Sequence, residues 1–214
     1  MARPDATPPV RAGRPRRFAT DEELRILLDA ALVVMERNGY ADATVADILR
    51  QANLSTRSFY RHFDTKDQLL CALFRRDAEA AAARLNAKVD AAPNPRAALD
   101  AWIDEILSFG HHAGKASRVT VLGSSAAMKA DGYAQEMAHA AKLLLAPLEA
   151  VLVEGAGDGS FPLADPIADA PLVQSVVWTA AGLNADRMKL PRAAASRQVR
   201  SFCERALGAV PPPS

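Results

Sequence analysis

Chemically active side chains are concentrated between Thr44 and Lys66 of this 214-residue chain. From position 55 to position 63 the stretch carries hydroxyl, guanidinium, phenol and imidazole groups and no acidic residue. Hydroxyls and phenols bind phosphate oxygens, and arginine can read guanine in the major groove of DNA. The residue types therefore indicate contact with nucleic acid, and a solvated basic surface on a small helical subdomain is the plainer alternative. The candidate residues are Thr44, Ser55, Thr56, Arg57, Ser58, Tyr60, His62 and Lys66.

Two short helices joined by a tight turn would place these side chains on one surface. Apolar residues over 45–52 repeat at the spacing of one helix face. Asn53 tolerates the left-handed conformation that a sharp helix end requires, and Ser55 is a favourable N-cap for the second helix. Thr65 would cap a third helix in the same way. Lys66 lies in the first turn of that helix, where it opposes the helix dipole, and a neighbouring phosphate would account for its presence.

The same stretch resembles the helix-turn-helix of TetR-type transcriptional regulators. The likeness extends over about residues 22–74. It implies a three-helix DNA-binding unit, followed by a helical domain that binds an effector and forms a dimer. The motif positions are Thr44-Val45, Ile48, Ser55, Phe59-Tyr60-Arg61-His62-Phe63 and Lys66 through Leu69.

Phosphates and bases are expected to be contacted by different residues of this unit. We expect Tyr60, His62 and Lys66 to bind phosphates, as point contacts that hold the protein on the duplex. We expect Thr44 to anchor the helix before the turn. Base edges are expected to be read by Arg57, with Thr56 and Ser58 beside it.

Composition favours an all-α protein. The chain is 50% apolar, and convincing strand patterns are lacking. A net charge of +1 means that any contact with nucleic acid is local. Cys71 and Cys203 lie far apart in apolar helical patterns, as expected of reduced residues in a cytoplasmic protein. No apolar run approaches the roughly 20 residues of a membrane-spanning helix, so we expect no membrane contact.

The chain divides into three predicted regions: a disordered basic arm over 1–18, a DNA-binding domain over 19–79, and a ligand-binding and dimerisation domain over 80–214. In the arm, the segment around Arg14 and Arg16 resembles the core of an AT-hook, which lies in a narrow minor groove of DNA. A solvated basic tail is the alternative for this segment.

The second domain is expected to enclose an apolar cavity, as the domains of TetR-type proteins do. Few charged groups fall on the inward faces of its helices, which favours a small apolar or aromatic effector. Pro147 would kink a predicted helix and leave room in the bundle, whereas ordinary core packing is the alternative for each lining residue. Polar contacts are expected from His111, Tyr133 and Asn184. The expected lining is Trp102, Phe109, Met128, Tyr133, Met137, Leu144 and Trp178.

A homodimer is expected for two reasons. One recognition helix reads only a few base pairs, so specificity calls for a two-fold pair. The last two long helices also carry more apolar surface than one core needs, and the TetR-type proteins pair such helices into a four-helix bundle. The residues expected at the interface are Val173, Val177 and Phe202.

Enzymatic activity is not expected, nor is a metal or cofactor. Glu136 and His139 form half of a di-iron carboxylate motif, but the second half is absent. His111 and His112 are adjacent and cannot face one metal from one side of a helix. The resemblance implies instead a ligand-responsive regulator, a repressor that binds a palindromic operator as a dimer. The alternative is a helical DNA-binding protein without a small-molecule site, controlled by a protein partner or architectural.

Overall fold

The computed structural model describes residues 20–183 and 190–209, which form nine α-helices and one short 3₁₀ helix. This confirms the all-α prediction. None of the helices described is both long and apolar enough to cross a membrane. The helices are α1 Thr20–Asp42, α2 Val45–Ala52, α3 Thr56–His62, α4 Lys66–Asp90, α5 Pro95–His111, α6 Ala113–Leu122, the 3₁₀ helix Ala127–Lys129, α7 Tyr133–Asp158, α8 Pro166–Ala180 and α9 Arg192–Ala206.

Side-chain caps fix the ends of the short helices, as the sequence predicted. The Thr44 hydroxyl accepts the backbone N–H of Asp47 at 3.1 Å at the start of α2. Asn53 ends that helix in the left-handed conformation, with φ 54° and ψ 44°. The Ser55 and Thr65 hydroxyls cap α3 and α4 at 3.2 Å and 3.1 Å from the backbone nitrogens three residues on. The turn between α2 and α3 is therefore specified locally.

The C-terminal end of α7 contains Gly155 and Gly157, and glycine disfavours a helix interior. The helix nevertheless continues to Asp158, and Gly159 ends it with φ 80°. The reason is tertiary: the ring of Phe161 packs directly on Gly155, where an added Cβ would lie 2.0 Å from Cδ2 of that ring. Glycine is required there because the aromatic ring occupies the space of a side chain.

Two apolar cores hold the described helices together. The N-terminal core is built around α1 to α4 and includes Phe59 and Leu69, both fully buried. The C-terminal core is built from α4, α5, α7, α8 and α9 around Trp102. The boundary predicted at residue 79 does not separate them, because later residues complete the N-terminal core. These are Val121, Leu122, Ala127, Ala130 and Tyr133.

Helix α6 connects the two cores. Its last residues are buried in the N-terminal core, whereas its first half is held mainly by charge. Lys115 donates to the carboxylate of Glu105 on α5 at 2.6 Å, and Lys88 on α4 donates to the same carboxylate at 2.6 Å. Burial alone would raise the pKa of Glu105, but the hydrogen bonds from Lys115 and Lys88 outweigh it and lower the pKa. Glu105 therefore stays charged and joins three helices.

Candidate nucleic-acid interface

Helix α3 presents an exposed polar face. Thr56, Arg57 and Tyr60 are all exposed, and their spacing of three and four residues places them on one side of the helix. The Tyr60 side chain is 59% exposed. Thr44 and Ser55, the caps of α2 and α3, are exposed as well. This surface brings together the hydroxyl, guanidinium and phenol groups that phosphate and base recognition require.

Ser58 does not belong to this face, contrary to the sequence prediction. It is buried on the inner side of α3. Its hydroxyl lies 3.1 Å from the hydroxyl of Ser55, with which it shares the helix cap. In this structure Ser58 stabilises the start of α3 and is not placed to flank Arg57 on the outer surface.

His62 also points away from the predicted DNA-facing surface. Its side chain is 8% exposed, and its Nε2 lies 3.6 Å from the carboxylate of Glu23 on α1. Arg61 donates to the other oxygen of the same carboxylate at 3.0 Å. The last turn of α3 is thus directed at α1, and the phosphate contact expected of His62 is corrected to an internal contact.

Lys66 has a different partner from the expected phosphate. Its ammonium donates to the backbone carbonyls of Tyr40, Ala41 and Ala43 at 2.9, 3.2 and 3.0 Å. It also lies 4.4 Å from the centre of the Tyr40 ring. An ammonium has three N–H donors, so all of them are used. Lys66 neutralises the negative end of α1, which explains a lysine in the first turn of α4.

Asp67 and its neighbours join the helix-turn-helix to the turn before α7. The Tyr40 hydroxyl donates to one oxygen of Asp67, and the backbone N–H of Asp131 donates to the other at 2.9 Å. The hydrogen bond from Tyr40 is the main cause that lowers the pKa of Asp67. One turn further along α4, the Cys71 thiol donates to the carbonyl of Asp131 at 3.4 Å.

A bidentate ion pair between α4 and α7 lies beside this joint. Arg75 donates to both carboxylate oxygens of Glu136. The hydrogen bonds from Arg75 lower the pKa of Glu136. The half-motif Glu136-x-x-His139 is therefore part of a helix contact. In residues 20–183 and 190–209, no group of three or more metal-ligating side chains is assembled.

Sequence reasoning missed Glu23, Tyr40 and Asp67. For Glu23 a signal existed: it precedes Leu27 and Ala31 by four and eight residues, so it lies on the buried stripe of α1. Its place three residues after Thr20 is also that of a capping-box residue, which competes with this reading of the pattern. Arg14 and Arg16 lie outside the described residues, and their minor-groove contact stays a prediction.

Comparison with known proteins places this surface in a family. Residues 27–73, which span the helix-turn-helix, match the model of bacterial regulatory proteins of the tetR family. Residues 27–73 form a helix-turn-helix DNA-binding domain of the tetR type, as in bacterial transcriptional regulators. No curated protein matches the chain significantly.

Solved structures of similar fold extend this likeness to nearly the whole chain. Bacillus subtilis FadR in complex with stearoyl-CoA is 20% identical, with a TM-score of 0.67, over 85% of this chain and 98% of FadR. Reduced E. coli NemR is 18% identical, with a TM-score of 0.71, over 88% and 100% of the two chains. A TetR regulator from Haloarcula marismortui gives 19% and 0.69, over 88% and 97%. At these identities the likeness establishes the fold.

The effector pocket expected in this chain is not assembled from the predicted residues. Trp102, Phe109 and Leu144 lie in the C-terminal core, with Trp178 packed against it, and the Trp102 indole donates to the Leu144 carbonyl at 2.9 Å. The other predicted lining residues lie elsewhere: Tyr133 and Met137 pack with the N-terminal core, and Met128 is 51% exposed.

Two depressions in the described part of the chain lie away from those seven residues. A small cavity of about 50 Å³ lies between α5 and α9, next to Ile103, Phe161 and Cys203. A wider, open groove of about 310 Å³ lies between α1 and α4, over Leu24 and Leu28. Neither lies beside Pro147, which is buried within α7.

The polar residues expected in the pocket have other environments. The two ring nitrogens of His111 lie 2.8 Å from the carbonyl of Leu107 and 2.9 Å from that of Leu190, so His111 connects α5 to the segment before α9. The Tyr133 hydroxyl is buried without a hydrogen-bond partner in the described structure. Asn184 lies outside the described residues.

Of the three residues predicted at the dimer surface of this chain, two are buried. Val173 and Val177 are 2% and 0% exposed and belong to the C-terminal core, so they cannot meet a partner. Their neighbour Leu172 is 61% exposed on the opposite side of α8. Phe202 on α9 is 38% exposed, in keeping with its predicted place at a surface.

Proposed function

We propose that the chain is a repressor that binds a palindromic operator as a homodimer and is released by a small apolar or aromatic effector. The observation that carries the DNA-binding part is the exposed face of Thr56, Arg57 and Tyr60 on α3. No acidic residue lies between positions 55 and 63, so nothing within this helix repels phosphate.

We assign base reading to Arg57 and phosphate contact to Tyr60. The guanidinium of arginine can donate two hydrogen bonds to guanine, and each such pair is worth about 1–3 kcal/mol of discrimination. Thr44, Ser55 and Thr56 offer exposed hydroxyls for the backbone. Ser58, His62 and Lys66 are left out of this assignment because their polar groups are used internally.

We propose that the dimer forms through the outer faces of α8 and α9. Leu172 and Phe202 are large apolar side chains left exposed there, and exposed apolar surface of this kind is typical of protein interfaces. A two-fold pair would place two copies of α3 roughly 34–36 Å apart, one turn of DNA.

We propose that the effector enters the C-terminal core near Phe109 and Trp178. Their rings pack edge to face with centroids 6.4 Å apart, and Trp178 is only partly buried. FadR of the same fold was crystallised with stearoyl-CoA, which supports an apolar ligand for this kind of domain. Because the core is closed here, the effector would have to displace packed side chains and so favour a different state of the protein.

A regulator without a small-molecule site is the second candidate function. It is favoured by the positions of the expected lining residues, which are divided between two cores, with Met128 exposed. Such a protein would respond to a protein partner. Thermal-shift screening of apolar and aromatic compounds, followed by operator binding with each hit, separates the two.

The test of the proposed function begins with selection of operators from a random duplex pool by the full chain. We expect a palindromic consensus, bound with one dimer per site. Arg57→Ala should relax the preference at one position per half-site. Binding of all duplexes with equal affinity would overturn the proposal. Hits that stabilise the protein and release the operator support the effector, and a chain that no compound releases supports the second candidate.

A further inference from the structure

A buried carboxylate lies behind the recognition helix α3. Glu23, in the first turn of α1, is 6% exposed. Arg61 donates to its Oε2 at 3.0 Å, and Nε2 of His62 lies 3.6 Å from its Oε1. The residues are 38 and 39 positions apart in sequence, so this is a tertiary contact between α1 and the last turn of α3.

The helix dipole does not account for the burial of Glu23. Asp21 and Glu22 also lie in the first turn of α1 and are exposed, so negative charge is already present at this helix end. Burying a carboxylate costs free energy unless a partner compensates it. The compensation here comes from Arg61, whose side chain is partly exposed and donates to Oε2.

The His62 side of this contact is incomplete. Oε1 of Glu23 and Nε2 of His62 are both buried, and neither has a hydrogen-bond partner in the described structure. Closing their 3.6 Å separation by roughly half an ångström would bring them within hydrogen-bond distance. The position of the last turn of α3 is therefore coupled to this carboxylate, because a small shift of the turn makes or loses a buried hydrogen bond.

Helix α3 has only seven residues, so few contacts orient it. Phe59 and, at the end of the helix, Phe63 are buried and pack one side of it into the N-terminal core. A polar contact away from this apolar side further restrains rotation of the helix. The last turn supplies it through Arg61 and His62, while Arg57 lies in the first turn of the same helix.

We propose that Glu23 is a positioning residue for DNA recognition: its carboxylate fixes the last turn of α3 through Arg61 and His62. It thereby sets where Arg57 and Tyr60 meet the duplex. The inference rests on the proposed function, because it takes α3 as the helix that reads the operator. Glu23 itself touches no DNA in this assignment.

The experiment compares Glu23→Ala with Glu22→Ala on a selected operator and on random duplex of the same length. Each substitution removes one negative charge, which strengthens binding to all DNA in the same way. Only Glu23→Ala removes the contact to α3. We expect the ratio of operator affinity to random-duplex affinity to fall about tenfold or more in Glu23→Ala, and to stay at the wild-type value in Glu22→Ala.

Rescue by the conservative variant separates positioning from general stability. Glu23→Gln keeps an oxygen that accepts from Arg61, and its amide can donate to His62. We expect Glu23→Gln to recover most of the wild-type ratio. If Glu23 only stabilised the fold, Glu23→Ala would lower the melting temperature. The ratio of operator affinity to random-duplex affinity would then stay unchanged.

A second pair of variants covers the case in which Glu23→Ala does not fold. Arg61→Ala removes the other half of the contact at a partly exposed position, and Arg25→Ala removes an exposed arginine of α1 as its control. The ratio should fall in Arg61→Ala only. If each variant has the same ratio as its control, and the wild type still selects an operator, the inference is overturned and the proposed function stands. A wild type without sequence preference would overturn the proposed function and the inference with it.

Discussion

The phenol of Tyr40 donates a hydrogen bond to the carboxylate of Asp67, across the end of α1 and the start of α4. The other carboxylate oxygen of Asp67 accepts a hydrogen bond from the backbone N–H of Asp131, in the turn before α7. One carboxylate therefore joins α1, α4 and the turn before α7, at the point where the DNA-binding unit meets the rest of the chain. A change in the position of α7 would reach α4 through this contact and through the neighbouring pair of Arg75 and Glu136.

Replacing Tyr40 with Phe should lower the free energy of unfolding. Tyr40 is 6% exposed, and a hydrogen bond to a charged group contributes about 1.5–3 kcal/mol. Urea denaturation at neutral pH measures the difference. Tyr60→Phe is the matched control, because that phenol is 59% exposed and its loss should change stability by less than about 0.5 kcal/mol. Equal effects of the two substitutions would contradict the role of Tyr40.

The effect of Tyr40→Phe should depend on pH. The hydrogen bond from Tyr40 lowers the pKa of Asp67 in the folded protein, below the unfolded value of about 3.9. A lowered folded pKa gives stability that is present above the unfolded value and is lost as the pH falls through the folded value. The stability gap between wild type and Tyr40→Phe should therefore shrink below about pH 4. Denaturation curves over a pH series give this gap, and a constant gap would refute the linkage.

Lys66→Met should destabilise the protein rather than weaken binding to all DNA. The substitution leaves three carbonyls at the end of α1 without their donor, a loss of about 1.5–3 kcal/mol. Salt titrations of binding to random duplex should keep the wild-type slope. Lys142→Met, at an exposed position of α7, serves as the stability control. A slope reduced by about one unit with unchanged stability would restore the phosphate contact first expected of Lys66.

Leu172→Asp should weaken the proposed dimer and spare the fold, whereas Val177→Asp should unfold the protein. Leu172 is 61% exposed on α8, but Val177 is fully buried and a charge there would be unpaired. Sedimentation at micromolar concentration and circular dichroism report the two properties. Val33→Asp, an exposed apolar position on α1, is the control. A Leu172→Asp protein that sediments like the wild type would exclude this face from the interface.

Gly110→Ala should lower the stability of the protein by disturbing the packing of α5 against the end of α8. An added Cβ at Gly110 would lie 1.8 Å from the carbonyl oxygen of Ala181, which is backbone and cannot turn aside. Overpacking of this kind costs about 1–3 kcal/mol. Gly157→Ala is the matched control, because nothing lies within 4 Å of its added Cβ, and alanine there should keep or slightly raise stability. Thermal denaturation of both variants tests the contact.

The sequence predicted what is determined locally. The caps Thr44, Ser55 and Thr65 and the left-handed Asn53 depend on residues within a few positions, and all four are found. Ser58 and His62 were misplaced because they are polar residues on covered sides of a seven-residue helix, away from its one exposed face. Their orientation depends on the cap shared with Ser55 and on a carboxylate 39 residues away, which no local pattern shows.

The pocket and the dimer surface could not be predicted correctly from the sequence, for a related reason. Helix α8 carries apolar residues on every side, so its pattern does not distinguish buried Val173 from exposed Leu172. Assigning Trp102 and Tyr133 to one lining required knowledge of which core each helix joins. Those contacts are decided by the packing of α4, α5 and α7, between residues far apart in the chain.

Because Val121 and Leu122 are buried in the N-terminal core, the DNA-binding unit of this chain is not one continuous segment. A fragment that ends at residue 79 would leave a gap where these side chains and Ala127 and Tyr133 pack. Chimeras that graft this DNA-reading unit onto another sensor would need to carry α6 and the start of α7 as well. The unit of exchange, for engineering and for recombination between genes, is therefore discontinuous in sequence.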